Sequence, residues 1–308
     1  MKRSIGVDIG GTKIAAAIID KDANILFRSE VPSDPSDKEK MFQQVVKVIN
    51  NVLDESHLNM QQLEGIGLGV PGILDRESGI AVFQNNLPWR GFPVIQRIKE
   101  AFPADKVVID NDVYMAAFAE WQKYGANPHE TFVYFTISTG IAVSIIHNGD
   151  FIRGMGFAGE LGLLPVKSAN GIERLEQAAA GPAIQKLTNN SMTTKEVFEK
   201  YQQDDEFAHS LIPKVVESLV HGCYAITCLL DPEKIVFGGG VINNNPFLLP
   251  LIKEKMEEYC IPDQKAAVSR LHLSQSKGDA GVLGAGLRVF DGMRGDTSEK
   301  TKYLINHE

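Results

Sequence analysis

The order of predicted elements indicates an α/β protein of two lobes, built by duplication. Three apolar runs joined by short turns open the chain, and three more open its second half. They cover residues 3–9, 14–20, 25–31, 131–138, 141–147 and 150–153. Helices alternating with strands follow each set. The length of 308 residues agrees, since a domain has roughly 100–200 residues.

Hydrophobic periodicity supplies the remaining elements. In the first half it predicts helices at 37–54, 93–102 and 112–124 and strands at 64–70 and 106–110. In the second half, a long irregular insertion at about 154–203 precedes a helix with a buried stripe of Phe207, Leu211, Val215, Leu219 and Cys223. Strands at 234–238 and 268–273 and helices at 246–259 and 280–290 follow. We expect a first lobe at 1–124, completed by a helix near 291–308, and a second lobe at 125–290.

Composition excludes several classes of protein. Hydrophobic residues make up 44% and charged residues 23% of the chain, which is typical of a globular protein with a buried core. The net charge of −8 does not supply the positive field that a nucleic-acid binder needs. We therefore expect no nucleic-acid partner.

The cysteines and the apolar runs of the sequence indicate the cellular compartment. The three cysteines include no C-x-x-C pair, so neither a disulfide framework nor a structural zinc site is expected. No run approaches the roughly 20 apolar residues that cross a bilayer, and no secretory signal precedes the first strand. We expect a cytoplasmic protein without membrane association.

The turn Asp8–Lys13, DIGGTK, has the composition of a phosphate site. Gly10 and Gly11 allow the backbone close to a ligand, and the Thr12 hydroxyl and Lys13 ammonium add donors. Asp8, at a strand end, can hold Mg²⁺ through water. The alternative is an ordinary Gly-Gly hairpin with a solvated lysine.

The segment Asp110–Val113, DNDV, lies between a predicted strand and a helix. Active sites gather at the carboxyl ends of strands in α/β sheets. Asp112 there can accept a proton from a hydroxyl, and Asn111 can hydrogen-bond another. Both residues are also good helix N-caps, and the local sequence leaves the two interpretations open.

Two glutamates in the insertion are candidate hydrogen-bond acceptors for hydroxyls. Glu160 lies between glycines in FAGELG, and Glu176 lies in IERLEQAAAG. For Glu176 a solvated helix face is the competing interpretation, with Glu173 as a rival residue.

The remaining motifs are rich in glycine. Gly238–Gly240 follows a predicted strand and permits close approach of a flat ligand such as an adenosine, or is only a loose turn. GDAG, at residues 278–281, opens the last predicted helix. Gly67, Gly69 and Gly72 match G-x-G-x-x-G, but Pro71 and the lack of a following helix exclude a Rossmann motif. Neither a P-loop nor a nucleophile elbow occurs.

These motifs, in this order, resemble the ROK family of repressors, open reading frames and kinases. The resemblance covers residues 3–290 and includes VPGILD at 70–75, Asn86-Leu87 and the turn 138–140. It implies the duplicated actin/hexokinase-like (ribonuclease H-like) fold, with ATP and a sugar bound in an interlobe cleft. It also implies a homodimer.

On the sugar side, the resemblance assigns roles residue by residue. Asp112 corresponds to the catalytic base that activates the sugar hydroxyl, and Asn111 to its sugar-binding neighbour. Glu160 and Glu176 correspond to carboxylates near the anomeric end of the sugar. The family's sugar pocket is lined at the positions of Gly72 and Asn86.

On the nucleotide side, the resemblance implies ATP with Mg²⁺ near Asp8. The first phosphate turn corresponds to Gly10, Gly11, Thr12 and Lys13, and the second to Thr139 and Gly140. The adenosine loop corresponds to Gly239 and Gly240.

The chain departs from the family pattern at three places. Leu163 stands where the family usually has a histidine that binds sugar or zinc. Residues 165–175 contain no cysteine, so no zinc is expected there. The second phosphate turn usually reads G-T-G-x-G-G-G and here is Ser138–Ser144, STGIAVS, in which side chains replace hydrogens.

The sequence thus predicts an ATP-dependent kinase acting on the primary hydroxyl of a hexose, with glucose as the first choice. N-acetylmannosamine or another hexose, including fructose, is the alternative substrate. A catalytically weak sugar sensor and a ROK-type transcriptional regulator are the alternatives of another class.

Overall fold

The computed structural model describes residues 2–84, 86–168 and 170–291. Contacts divide them into two compact units. The first takes the chain up to Asn127 and again from Asp279, and the second is Pro128–Gly278. Within the described ranges, no helix is both long and apolar enough to cross a membrane.

The first unit begins with a three-strand meander and continues with alternating helices and strands. Its elements up to Asn127 are β1 (Arg3–Ile9), β2 (Lys13–Asp20), β3 (Ile25–Pro32), α1 (Lys38–Ser56), β4 (Ile66–Gly69), β5 (Ile73–Asp75), β6 (Ile80–Phe83), β7 (Arg90–Phe92), α2 (Val94–Ala101), β8 (Val107–Asp110) and α3 (Asp112–Lys123).

The second unit repeats the meander and carries more helices. Its elements are β9 (Thr131–Ile137), β10 (Ile141–His147), β11 (Asp150–Phe151), β12 (Pro165–Ser168), β13 (Gly171–Arg174), α4 (Leu175–Ala179), α5 (Gly181–Leu187), α6 (Thr194–Gln202), α7 (Glu206–Leu230), β14 (Lys234–Gly238), α8 (Gly240–Asn244), α9 (Leu248–Tyr259), α10 (Ala266–Ser269) and β15 (Leu271–Leu273). The last helix, α11 (Ala280–Phe290), belongs to the first unit.

The main sheets of the two units have the same topology. Their strand orders are β3-β2-β1-β4-β8 and β11-β10-β9-β14-β15. In each, the first three strands pair antiparallel and the last two join in parallel. The predicted duplication is therefore confirmed, strand for strand.

Helix α1 shows why the meander becomes a packed layer. Asp37 caps it, since its carboxylate accepts hydrogen bonds from the backbone N–H groups of Glu39 and Lys40. Its buried positions recur with the helical period, at Met41, Phe42, Val45, Val48, Ile49 and Val52. They enter one core cluster with β1, β2 and β4.

Helix α11 packs on the first sheet backbone to backbone. A Cβ atom on Gly67 of β4 would lie 1.8 Å from the Ala285 carbonyl oxygen, and one on Gly6 of β1 would lie 1.9 Å from that of Val282. On the helix itself, a Cβ on Gly284 would lie 1.7 Å from the Met115 carbonyl oxygen in α3. Only glycine fits these positions, and they fix α11 between the sheet and α3.

The described contacts differ from the expected lobe division at α11. The expected division of 1–124 and 125–290 placed it in the second lobe, whereas it completes the first unit. Asp291 is the last described residue, so the expected helix near 291–308 lies outside the described part of the chain.

Three element predictions were wrong in detail. The insertion at 154–203 is not irregular, because it holds β12, β13 and α4–α6. Residues 268–273 form the end of α10 and a shorter strand, since short apolar runs fit either element. Phe207 is 46% exposed. A spacing of four residues turns about 40° further round an α-helix at each step, so one end of such a stripe leaves the core.

Candidate functional site

The turn after β1 is held by the chain's own hydrogen bonds. The Gly10 N–H donates to the Lys13 carbonyl over 3.0 Å, and the Ser33 hydroxyl donates to the Gly10 carbonyl over 2.6 Å. A Cβ on Gly11 would lie 3.1 Å from the Cβ of Asn86. The hairpin interpretation is thus correct as local structure, and the turn also leaves Thr12 and Lys13 exposed.

An alternating row of charges runs beside this turn. The Lys13 ammonium lies 2.9 Å from the Glu30 carboxylate, which also lies 2.9 Å from the Arg28 guanidinium. Arg28 in turn donates to Asp279, at the start of α11, over 2.7 Å. Lys13 is therefore oriented by a carboxylate that an incoming anion would have to displace.

Asp8 lies near the end of β1, and Asp112 is the first residue of α3, two residues after the end of β8. The register places Asp8 beside Gly69, and Gly69 beside Asp110. A Cβ on Gly69 of β4, the strand between β1 and β8, would lie 3.5 Å from the Cα of Asp112, so the start of α3 lies against β4.

The pKa of Asp8 is raised to about 7. Burial is the largest cause and the negative charge of Asp112 adds to it, while Lys13 and Arg28 oppose the rise. Lys13 and Arg28 leave the pKa of Asp8 raised, and a hydrated Mg²⁺ bound through one or two carboxylates and substrate phosphates would add the missing positive charge. The residues present therefore fit the expected magnesium. Among the described residues, no group of three or more His, Cys, Asp or Glu side chains forms a metal cluster.

Asn111 is both a helix cap and a positioned amide. Its Oδ1 accepts from the Val113 N–H over 3.0 Å, which confirms the capping interpretation. Its Nδ2 donates to the Gly72 carbonyl over 3.3 Å, and Gly72 has a φ of +86°. Asp112 is half-buried and accepts from the same Val113 N–H over 3.0 Å. The strand-end motif thus brings Gly72, Asn111 and Asp112 together.

In the second unit, the turn at Thr139 and Gly140 is equally tight. The Ser138 N–H donates to the Gly140 carbonyl over 2.9 Å, and the Gly181 N–H of α5 donates to the Ser138 carbonyl over 2.8 Å. Thr139 is exposed. The turn is therefore anchored to the N-terminal end of α5.

Two of the side chains that depart from the family pattern in this segment, those of Val143 and Ser144, are buried. Val143 is 4% exposed and Ser144 is 1% exposed. Val143 packs in the core of the second unit, and a Cβ on Gly159 would lie 2.0 Å from its carbonyl oxygen. These substitutions therefore fill the interior of the unit, and the exposed backbone of the turn is retained.

Glu160 and Glu176 form a second pair of carboxylates. The Glu176 Oε2 lies 3.3 Å from the ideal Cβ position of Gly162 and 4.0 Å from that of Gly140. Desolvation and the negative charge of Glu176 both raise the pKa of Glu160. The rival Glu173 instead accepts a hydrogen bond from Ser168. Of the two, Glu176 is the glutamate that neighbours Glu160.

Gly238 and Gly239, at the end of β14, must be glycine for two different reasons. A Cβ on Gly238 would lie 2.1 Å from the Tyr134 hydroxyl oxygen, and Gly239 has a φ of +89° and lies against the Ile137 carbonyl. A Cβ on Gly240 would meet nothing within 4 Å. Protein packing explains the first two, and Gly240 faces open space.

Two cavities lie within the second unit. The Gly240 cavity has a volume of about 970 Å³ and is lined by Thr139, Gly181, Phe198, Gly240 and Val241, among others. The Glu176 cavity has a volume of about 790 Å³ and contains Thr139, Glu173, Glu176 and Lys186 in its wall. Both volumes are in the range of small-molecule sites, roughly 300–1,000 Å³.

Sequence reasoning missed Arg28, Glu30 and the wall of the Glu176 cavity. For Arg28 and Glu30 a signal exists: they alternate with apolar residues on β3 and so share one face. The cavity wall joins β13, α4, α5 and the turn after α5, and a single local motif does not cover such a set.

Comparison with known proteins agrees with this architecture. The model of the ROK family matches residues 4–290. A glucokinase of Halalkalibacterium halodurans is 30% identical over 312 residues, covering 92% of this chain and 94% of that protein. An N-acetylmannosamine kinase of Pasteurella multocida is 29% identical, covering 94% of this chain and 97% of that protein.

Among solved structures, the chain is similar to a ROK family glucokinase from Streptomyces griseus in complex with glucose and AMPPNP. The TM-score is 0.77 and the identity 25%, and the match covers 92% of this chain and 97% of that one. Together with the duplicated sheets, these matches confirm the actin/hexokinase-like fold, and the chain belongs to the ROK family.

Proposed function

We propose that this chain is an ATP- and Mg²⁺-dependent kinase that transfers the γ-phosphate of ATP to the primary hydroxyl of a hexose, with glucose as the first substrate. The observation that carries the proposal is the electrostatic pairing of Asp8, near the end of β1, with Asp112, at the start of α3, beside a glycine turn with an exposed lysine.

Asp112 is the proposed base. Phosphoryl transfer requires mainly that the reacting groups are positioned and that the charge of the transition state is stabilised. One carboxylate orients the nucleophile and takes its proton. The Asp112 carboxylate is oriented by the hydrogen bond that it accepts from the Val113 N–H. Bound Mg²⁺ would neutralise charge on the phosphates. Asp8 would hold its hydration shell, with Lys13 moving from Glu30 to a phosphate.

Hydroxyls of the sugar are proposed to bind to Asn111, Asn86, Glu160 and Glu176, with the Gly72 backbone in the pocket wall. Asn111 has a second amide N–H besides the one given to Gly72. Glu160 and Glu176 accept hydroxyl hydrogens, and their mutual repulsion favours such donors.

The nucleotide is proposed to lie in the Gly240 cavity of the second unit. Phe198 and Val241 give it apolar wall, and Asn244 and Gln185 give it hydrogen-bonding groups. Thr139 lines this cavity, and its hydroxyl and the neighbouring backbone suit phosphate oxygens.

A coupled ADP-release assay over hexoses and N-acetylhexosamines, with and without Mg²⁺, tests the proposal. Asp112→Asn should lower kcat by at least about 100-fold, the lower range for a general base. Asp105→Asn, an exposed aspartate in the same unit, is the matched control and should be neutral. Absence of sugar-dependent ADP release overturns the proposal, and sugar binding without transfer would indicate a sensor.

Leu163 favours N-acetylmannosamine as the second candidate substrate. It is 40% exposed, and its N–H donates to the Glu160 carbonyl over 3.1 Å. An apolar side chain there suits an N-acyl methyl group better than a hydroxyl. A higher kcat/KM for N-acetylmannosamine than for glucose would select it. The expected homodimer stays a prediction, which sedimentation can check.

A further inference from the structure

The charged side chains beside the first glycine turn lie on one face of the first sheet. In the register of β1, β2 and β3, Asp8 lies opposite Ala15, and Ala15 lies opposite Glu30. Residues directly opposite each other on paired strands share a face, and Arg28, two residues before Glu30 on β3, shares it too. Arg28 and Glu30 therefore lie on the face that carries Asp8, with the small side chain of Ala15 between Glu30 and Asp8.

One oxygen of Glu30 is shared by two cations. The Nζ of Lys13 and the Nη2 of Arg28 both lie 2.9 Å from the Oε2 of Glu30. Arg28 also donates from its Nε to the Oδ1 of Asp279 over 2.7 Å. The charges thus alternate in sign from Lys13 to the start of α11, and Arg28 is the cation of this row that holds two carboxylates.

The Asp279 carboxylate binds Arg28 instead of the helix that follows it. Asp279 directly precedes α11, at a position where an aspartate commonly accepts a hydrogen bond from a backbone N–H of the helix. Within the described part of the chain, its side chain makes no such capping bond. Asp279 therefore holds the Arg28 guanidinium in place whether or not Lys13 is bound to Glu30.

Arg28 and Lys13 compete for the Glu30 carboxylate. Hydrogen bonds from Lys13 and from Arg28 are the two main causes that lower the pKa of Glu30, so both cations stabilise its charged form. The Lys13 side chain is 60% exposed, so a phosphate can reach its ammonium. When Lys13 moves to a phosphate, Arg28 remains as the partner of Glu30, and no unpaired carboxylate is left beside the added negative charge.

We propose that Arg28 is a positioning residue for the nucleotide phosphates: it retains the Glu30 carboxylate when Lys13 transfers from Glu30 to a phosphate. This inference rests on the proposed function. Arg28 acts through Glu30 and touches neither substrate. Without Arg28, Glu30 binds Lys13 more tightly, which weakens the binding of the nucleotide and leaves the binding of the sugar unchanged.

The test measures the KM values for MgATP and for the sugar in the ADP-release assay, and the affinity for a non-hydrolysable ATP analogue by calorimetry. Arg28→Ala should raise the KM for MgATP and weaken the binding of the analogue by about tenfold, the value of one hydrogen bond between charged groups. The KM for the sugar should not change. Arg28→Lys should give an intermediate KM for MgATP, because an ammonium keeps the charge but lacks the planar fork that spans both carboxylates.

A double variant separates positioning through Glu30 from a structural role. In Arg28→Ala/Glu30→Gln, no carboxylate competes for Lys13, so the KM for MgATP should return to within about threefold of the parent value. Glu30→Gln alone should not raise this KM. Arg97→Ala is the matched control, because it removes another arginine–carboxylate pair of the first unit, with Glu39 at 2.7 and 2.8 Å. It should leave both KM values unchanged.

The outcomes separate this inference from the proposed function. A KM for MgATP that stays unchanged in Arg28→Ala overturns the inference, and so does a double variant that stays as weak as Arg28→Ala, because Arg28 then binds the nucleotide directly or only supports the fold. Both results leave the kinase activity in place. Absence of sugar-dependent ADP release from the parent chain overturns the proposed function itself, and the calorimetric affinities then still test the role of Arg28.

Discussion

Replacing Asp8 by asparagine should stabilise the first unit above neutral pH while it removes activity. In the folded chain the pKa of Asp8 is about 7, against an ordinary value of 3.8. A shift of this size corresponds to about 4 kcal/mol against the charged form. The variant Asp8→Asn should therefore gain about 4 kcal/mol at pH 8.

The gain has a definite pH dependence. A carboxyl group whose folded pKa is raised binds more protons in the folded state, so the folded state loses stability as the pH rises from about 4 to about 7. Below that window the penalty is absent, and above it the penalty is constant. The advantage of Asp8→Asn should fall to about 2 kcal/mol at pH 5, which is only slightly more than one pH unit above the ordinary pKa of 3.8.

Tryptophan fluorescence makes the measurement specific to this unit. The two tryptophans of the chain, Trp89 and Trp121, both lie in the first unit. Urea unfolding followed by fluorescence at pH 5 and pH 8 therefore reports its free energy of unfolding. Asp22→Asn, an exposed aspartate, is the matched control and should stay within about 0.5 kcal/mol of the parent chain. A variant no more stable than the parent at pH 8, or a gain equal at both pH values, would refute the reasoning.

Two further predictions concern the second unit. Gly238→Ala should destabilise it by about 2–4 kcal/mol, because the new Cβ meets the Tyr134 ring and hydroxyl, whereas Gly240→Ala on the same loop should be nearly neutral in thermal unfolding. If both variants melt alike, the clash is not the cause. Glu176→Gln should lower the pKa of Glu160 by removing a neighbouring negative charge, so any acid limb of sugar kcat/KM set by Glu160 moves to lower pH. A limb that stays in place or moves upward contradicts this assignment.

Helices and strands were predictable from the sequence because each buries one face, and the spacing of the apolar residues on that face shows the type of element. β1 and β10 were predicted with the same bounds that the structure has, and α1 within two residues at each end. The three short strands β5–β7 had no predicted counterpart, since runs of three or four residues carry too little periodicity. Packing of α11 on the first sheet was also beyond local patterns, because it depends on contacts more than 200 residues apart, such as that between Gly67 and Ala285.

Candidate site residues could be predicted from the sequence where all residues of a motif lie in one short segment. Residues 8–13 and 110–113 each form a single local structure, and they follow β1 and β8, which both pair with β4. Arg28 and Asp279 were not predicted as a pair, because strand pairing and the return of the chain in α11 bring them together. The direction of the side chains in the turn after β9 could not be predicted from the sequence either. The sequence shows that Val143 departs from the family pattern, and only the structure shows that its side chain lies in the core of the second unit.

The discontinuity of the first unit has a consequence for synthesis on the ribosome. Gly6 and Gly67 present bare backbone to α11, which is the last described helix to be made. Until residue 290 has emerged, that face of the first sheet has no cover, although its strands were completed by residue 110. The second unit is continuous in sequence and has all its strands by residue 273. The second unit can therefore complete its sheet before α11 has been made, whereas the first unit closes only once α11 is present.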